Sequence, residues 1–265
     1  MMFKKTVFLL SIFIIILFLF SGCNFNSATN TQNNNKDGNS ILVYSGAGLK
    51  KPVEEIGTVF EKQTGIKVNY IFGGSAYLNS QIMLTGQGDV YLPGDMSELE
   101  PLKEKNLISW IKNIVYHIPV LAVSKGNPAE IKSLQDLEKP GIKVALGDPD
   151  ANPIGKLSNK VLSDLNLLDG VNKNVVVRTP TANELILYLS TKQADASIIW
   201  EENYKGSEDK IELIESKELS KYTKIVPVTV LKYSKQKELA QKLAEFYVSD
   251  TAQQIWTKFG YKIVK

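Results

Sequence analysis

The chain has 265 residues, 43% of them apolar and 22% charged, which is an ordinary globular composition with length for one large or two medium domains. Its formal net charge of +3 comes from lysines interleaved with acids, and Arg178 is the single arginine. Nucleic-acid binders concentrate basic residues and use arginine forks, so nucleic acid is excluded as the expected partner.

At the amino terminus, Lys4 and Lys5 precede the apolar residues 7–20, a run short of the roughly twenty residues that a membrane span needs. Ser21, Gly22 and Cys23 follow, and Cys23 is the only cysteine, so no disulfide forms within a monomer. This end resembles a bacterial lipoprotein signal, with Phe20 where the usual leucine stands. The resemblance implies a leader over residues 1–22 and a diacylglycerol thioether on Cys23. An uncleaved anchor and an ordinary signal peptide are the alternatives, and all three put the folded part outside the cytoplasmic membrane. Residues 23–40 are rich in asparagine and poor in anything to bury, and read as a disordered tether reaching on the order of 20 Å.

The folded part opens with a unit that repeats. Residues 41–44 form a short apolar run, Ser45, Gly46, Ala47 and Gly48 carry almost no side chain, and residues 49–64 place Val53, Ile56, Val59 and Phe60 at helical spacing. A second strand over 66–72, a second bare turn at Gly73, Gly74 and Ser75, and a helix over 76–85 follow. Two helix N-termini at the strand ends of one sheet offer unpaired N–H groups and partial positive charge, a combination that favours a small anion.

Residues 89–92 read as a third strand ending in Pro93, Gly94 and Asp95, with a helix over 97–105. Residues 115–124 form a long β-rich run that crosses into a second lobe. That lobe repeats the plan: strands over 143–146, 175–177, 196–200 and 211–214, with helices over 156–168 and 182–191. Residues 225–232 resemble the first crossing, and helices over 236–249 and 251–259 pack back on the first lobe. The expected fold class is α/β, with two lobes, each a mixed sheet flanked by helices, joined by a two-strand hinge. Lobe 1 takes residues 41–119 and 228–265, and lobe 2 takes 120–227.

Catalytic chemistry has little to work with. His117, the only histidine, lies in an apolar strand and is read as packing at the core or hinge; one imidazole without cysteines makes a poor metal site. A carboxylate-based hydrolase has Asp95, Glu201 and Glu202 available, although adjacent carboxylates on a loop are more often simply solvated. Neither bare turn matches a dinucleotide or P-loop pattern, so no nucleotide cofactor is expected.

Read together, residues 41–49, the run Phe60 to Val68, Gly73-Gly74-Ser75-Ala76 and Gly88-Asp89-Val90 resemble the periplasmic molybdate-binding proteins of ABC importers. Gly147-Asp148-Pro149, Asn152-Pro153-Ile154-Gly155-Lys156, residues 194–200 and the tail motif from Ala252 to Tyr261 are similar to the same family. The resemblance implies a type II solute-binding fold, no catalysis, and a monomeric receptor on the outer face of the cytoplasmic membrane that delivers molybdate or tungstate to a permease. Carried over by position, the oxyanion ligands fall at Ala47, Gly48, Ser75, Ile154, Asn183 and Trp200, with Ser45, Gly74, Asn152 and Glu201 beside them. Gly48 lacks the family's hydroxyl, Trp200 replaces a tyrosine, and Asn152 stands where a related subfamily places a metal-binding aspartate, which favours tetrahedral binding. Sulfate or a small organic anion is the runner-up. Because only Glu201 is acidic among these positions, hydrogen phosphate, which needs a proton acceptor, is disfavoured.

Overall fold

The computed structural model describes residues 40–265. The leader, Cys23 and all of the tether except Ser40 lie outside the described residues.

The chain alternates as its patterning requires. Strand β1 (Ser40–Gly46) runs through a one-turn 3-10 segment (Ala47–Leu49) into α1 (Lys50–Thr64). Val53, Ile56 and Phe60 of that helix are buried, and Gly65 ends it in the left-handed conformation with its N–H on the Glu61 carbonyl. Then come β2 (Lys67–Gly73), α2 (Ser75–Thr85), β3 (Val90–Leu92), a 3-10 turn (Met96–Leu99), α3 (Glu100–Glu104) and β4 (Ile108–His117). The second half holds β5 (Pro119–Ser124), β6 (Val144–Gly147), α4 (Pro153–Asp164), α5 (Leu168–Asn172), β7 (Val175–Thr179), α6 (Ala182–Ser190), β8 (Ala196–Trp200) and β9 (Ile211–Ile214). After α7 (Lys217–Ser220) the chain forms β10 (Lys224–Leu231), α8 (Lys237–Phe246), α9 (Asp250–Lys258) and β11 (Lys262–Ile263).

Two mixed sheets result, the fold class expected. The first has the order β11-β4-β10-β3-β1-β2 and the second β7-β6-β8-β5-β9. On one face of the first sheet, Val43, Val90 and Val228 pack against Val53, Ile56 and Phe60 of α1 and against Leu243, Ala244 and Trp256 of the tail helices. On the other, Tyr44 and Tyr91 pack against Leu78 and Ile82 of α2. The second sheet buries Leu121, Val144, Ala145 and Ile198 among Leu157, Val161, Leu185 and Leu189. Fully burying one such side chain contributes about 1.5–3 kcal/mol, so each sheet carries its own core.

Several boundaries differ from the sequence reading. The run over 115–124 is two strands of different sheets, parted only at Ile118. Pairing of β10 with β4 begins at Lys224, so the return crossing comes earlier than residue 227. The helix expected over 156–168 breaks between α4 and α5, where Asn166 takes a positive φ of 58°.

Candidate functional site

Register alone brings the candidate corners together. β1 is parallel to β2 and β3, with Gly46 opposite Gly73 and Ser45 opposite Leu92, so the three strands end at one edge of the first sheet. β10 is antiparallel to β3 and starts at that edge, where Lys224 forms an ion pair with Asp95 and stands opposite His117, the end of β4. In the second sheet β6 is parallel to β7 and β8, and Trp200 stands opposite Pro119. Only Ile118 separates His117 from Pro119, so the carboxyl edges of both sheets adjoin at the crossing.

The first sheet's corners are bare. Ala47, Gly48 and Gly74 are exposed, and neither the 3-10 turn at Ala47 nor α2 at Gly74 has a side-chain cap. A Cβ at Gly48 or Gly74 would meet nothing within 4 Å, and neither residue takes a positive φ, so packing does not demand glycine at either. The first N–H groups of a helix have no partner within it, and at these two corners no side chain among the described residues caps them. Ser45 is fully buried, with its hydroxyl 3.4 Å from the Gly46 carbonyl, and so stays behind the corner.

Ser75 opens α2, and its hydroxyl donates to Glu98 Oε2. This carboxylate is the residue the sequence reading missed, and it removes the ground on which hydrogen phosphate was disfavoured. Asp95 and Glu98 have the spacing of a helix cap, in which the glutamate would turn back to its own backbone. Asp95 does cap, accepting from Ser97 N at 2.9 Å, but Glu98 instead reaches across to α2.

The second sheet's corners are closed by their own side chains. Asn152 caps α4, its Oδ1 accepting from Ile154 N at 3.3 Å, and its Nδ2 lies 3.4 Å from the Thr179 carbonyl. The helix can sit this close because a Cβ on Gly155 would fall 2.4 Å from the carbonyl group of Gly147. Ile154 is fully buried, and its N–H, expected to be a free donor, is already engaged by Asn152. Thr181 caps α6 by accepting from Glu184 N at 3.4 Å, and Asn183, one position earlier, is exposed.

Between the two edges lies an aromatic and acidic cluster. Trp200 is half-buried against His117, with ring centroids 4.9 Å apart, and Tyr261 meets the same imidazole edge-on at 5.6 Å. The Tyr261 hydroxyl donates to the Gly48 carbonyl at 3.3 Å, so the tail ties the first corner to the end of β4. Burial holds the Tyr261 pKa well above a free phenol, and the nearby Glu202 charge adds to the shift. Glu202 Oε1 approaches His117 Nδ1 at 2.5 Å, off the line of a hydrogen bond, and Glu201 pairs with Lys262 at 2.7 Å. Asp95, Glu201 and Glu202 thus each stand beside a basic side chain, which is not the arrangement of two cooperating hydrolytic carboxylates. Gly48 and Trp200 are brought together through Tyr261 and His117. Among the described residues no hydrogen bond joins Ile154 or Asn183 to Ser75.

The pattern of the family described as bacterial extracellular solute-binding protein matches residues 41–262, which span both edges. The chain belongs to this family. A putative binding protein of Haemophilus influenzae is 30% identical over 221 residues, covering 83% of this chain and 90% of that one. The molybdate-binding protein ModA of Mycobacterium tuberculosis is 24% identical over 224 residues, 84% of each chain. Among solved structures, the substrate-binding domain of a putative molybdenum ABC transporter from Clostridium difficile superposes with a TM-score of 0.72 at 26% identity, covering 85% of this chain and 99% of its own. The resemblance drawn from motifs along both halves of the chain therefore holds, as does the type II fold, and this extracellular solute-binding protein works outside the cytoplasm.

Proposed function

We propose that this solute-binding protein is a lipid-anchored receptor that captures molybdate or tungstate between its two sheets and delivers it to the permease of an ABC importer. The observation that carries the reading is the pair of uncapped corners at matched register, Ala47–Gly48 and Gly74–Ser75, with open ground in front of both glycines. Backbone N–H groups there, with the positive end of the α2 dipole, hold an anion without any cationic side chain. On this reading Asn183 and Trp200 contribute from the second sheet, while the Ile154 N–H stays with its Asn152 cap and backs the site. Relatives named for molybdate and molybdenum support the choice of guest. The lone Cys23 after its apolar leader supports the anchor. The receptor acts as a monomer and needs neither a cofactor nor a catalytic residue.

A thermal-shift panel of molybdate, tungstate, sulfate and hydrogen phosphate tests the assignment. A ligand at 100 times its Kd stabilises by about 2.7 kcal/mol, a shift of several degrees. The reading expects molybdate and tungstate to give the largest shifts; a panel with no shift contradicts it, and a sulfate shift alone redirects it to that anion.

A further inference from the structure

Beneath the second corner lies a polar cluster for which simple anion capture has no role. Glu98 is held under α2 by its own carbonyl, which accepts from Asn79 Nδ2 at 2.7 Å. Its Oε2, besides accepting from Ser75, lies where a Cβ on Gly94 would come within 3.3 Å, and Gly94 N lies 3.4 Å from where a Cβ on Gly46 would be. The carboxylate therefore stands where all three strand-end turns of the first sheet converge. Tyr91, at 0% exposure, ends beside Ser75 and Glu98, and its hydroxyl has no aligned hydrogen-bond partner among the described residues.

A serine hydroxyl has one proton: while Ser75 gives it to Glu98 it can only accept toward a guest, and turning it to the guest takes that donor away from the carboxylate. A fully deprotonated oxyanion arriving at this corner meets a lone pair on Ser75 and a like charge on Glu98, both unfavourable. One added proton relieves both: the carboxylate becomes a carboxylic acid, and the Ser75 hydroxyl is freed to turn toward the guest.

We propose that Glu98 makes capture of a fully deprotonated oxyanion take up one proton from solvent, which resides on the Ser75–Glu98 pair. The proposal rests on the oxyanion reading above and adds to it a residue that sets which protonation state of the guest is taken. No neighbour supplies the proton. Among the elements around Glu98, Lys224 of β10 is paired with Asp95 of the same turn, Lys103 of α3 is paired with Glu100, and α2 presents the uncharged Ser75 and Asn79. The β3 hydroxyl of Tyr91 stays protonated, since burial pushes its pKa well up, Ser75 offsets part of this and the Glu98 charge adds to it. Hydrogen phosphate brings its own proton and donates it to the pair.

Calorimetric titration at about pH 8, in buffers of differing ionisation enthalpy, reads the proton count directly. The wild-type protein is expected to take up close to one proton per molybdate and none per hydrogen phosphate. Its molybdate affinity should rise about tenfold for each unit the pH is lowered toward about 6. The Glu98→Gln variant should take up none and bind molybdate more tightly than wild type at the higher pH. Molybdate binding by the wild type with no proton uptake and a pH-independent Kd overturns the proposal while leaving the oxyanion reading intact. Absence of binding by every oxyanion removes both. If Glu98→Gln fails to fold, the wild-type proton count still decides.

Discussion

The two sheets build the same strand-turn-helix corner and finish it in opposite ways. At the first sheet, Gly46 and Gly74 precede helical turns and offer no side chain to cap them. At the second, Asn152 and Thr181 accept from Ile154 and Glu184 and fill that role themselves. Glycine in place of a capping side chain costs a helix only a few tenths of a kcal/mol, so the first sheet gives up little stability and leaves N–H groups for another acceptor. Under the proposed function the contrast divides the labour: the first sheet's uncapped corners would anchor a guest, and the second sheet's capped corners would form the wall opposite.

Substitutions can break that division. Gly155→Ala is expected to have the largest effect, because its Cβ would overlap the Gly147 carbonyl; a loss of about 3 kcal/mol or more should appear in denaturant unfolding. Tolerance of alanine there would mean that the second corner is not rigidly seated. Ser75→Ala should weaken molybdate binding by about ten- to a hundredfold, the value of one hydrogen bond to a charged group, with a stability loss of at most about 1–3 kcal/mol from the donor lost to Glu98. A loss of stability without loss of affinity would reverse the roles of the two sheets. Asn152→Ala should do the converse, lowering stability by about 1 kcal/mol while the Kd moves little.

The smallest expected effect concerns Asp136, a capping carboxylate of the second lobe that accepts from Lys132 N and Ser133 N at 2.7 and 2.9 Å. A hydrogen bond from Lys139, helped by these amides, lowers its pKa to about 2. Because the folded value lies below the unfolded one, its contribution is complete above the ordinary carboxylate range and is lost as pH falls through about 2. Asp136→Asn should therefore lower the melting temperature slightly at neutral pH, and the difference should vanish in strong acid.

Much of the fold was legible because local chemistry marks it. Bare glycine and serine turns after apolar runs located both first-sheet corners, and helical spacing located α1, α8 and α9. The beginning of β4 was not legible: Lys112 and Asn113 are exposed, and β11 covers only Val115 and Tyr116, so this edge strand lacks the alternation of a half-buried one. The candidate site divides in the same way. Asn152 followed by proline carries an N-cap signal that relatives' ligand positions obscured, and the engaged Ile154 N–H follows from that cap. Glu98 could not be found, because its partner Ser75 lies on another helix and only tertiary packing joins them. Tyr261 lies within the tail motif, yet its hydrogen bond to Gly48 depends on how the tail folds back.

Where a bound guest sits decides between the two edges. Tungsten scatters strongly enough for a crystal of the tungstate complex to reveal the anion by its anomalous signal. One peak is expected within hydrogen-bonding distance of the Gly48 and Ser75 N–H groups, on the side facing Trp200. A peak at the capped N-terminus of α4, with the Gly74 corner empty, would contradict it.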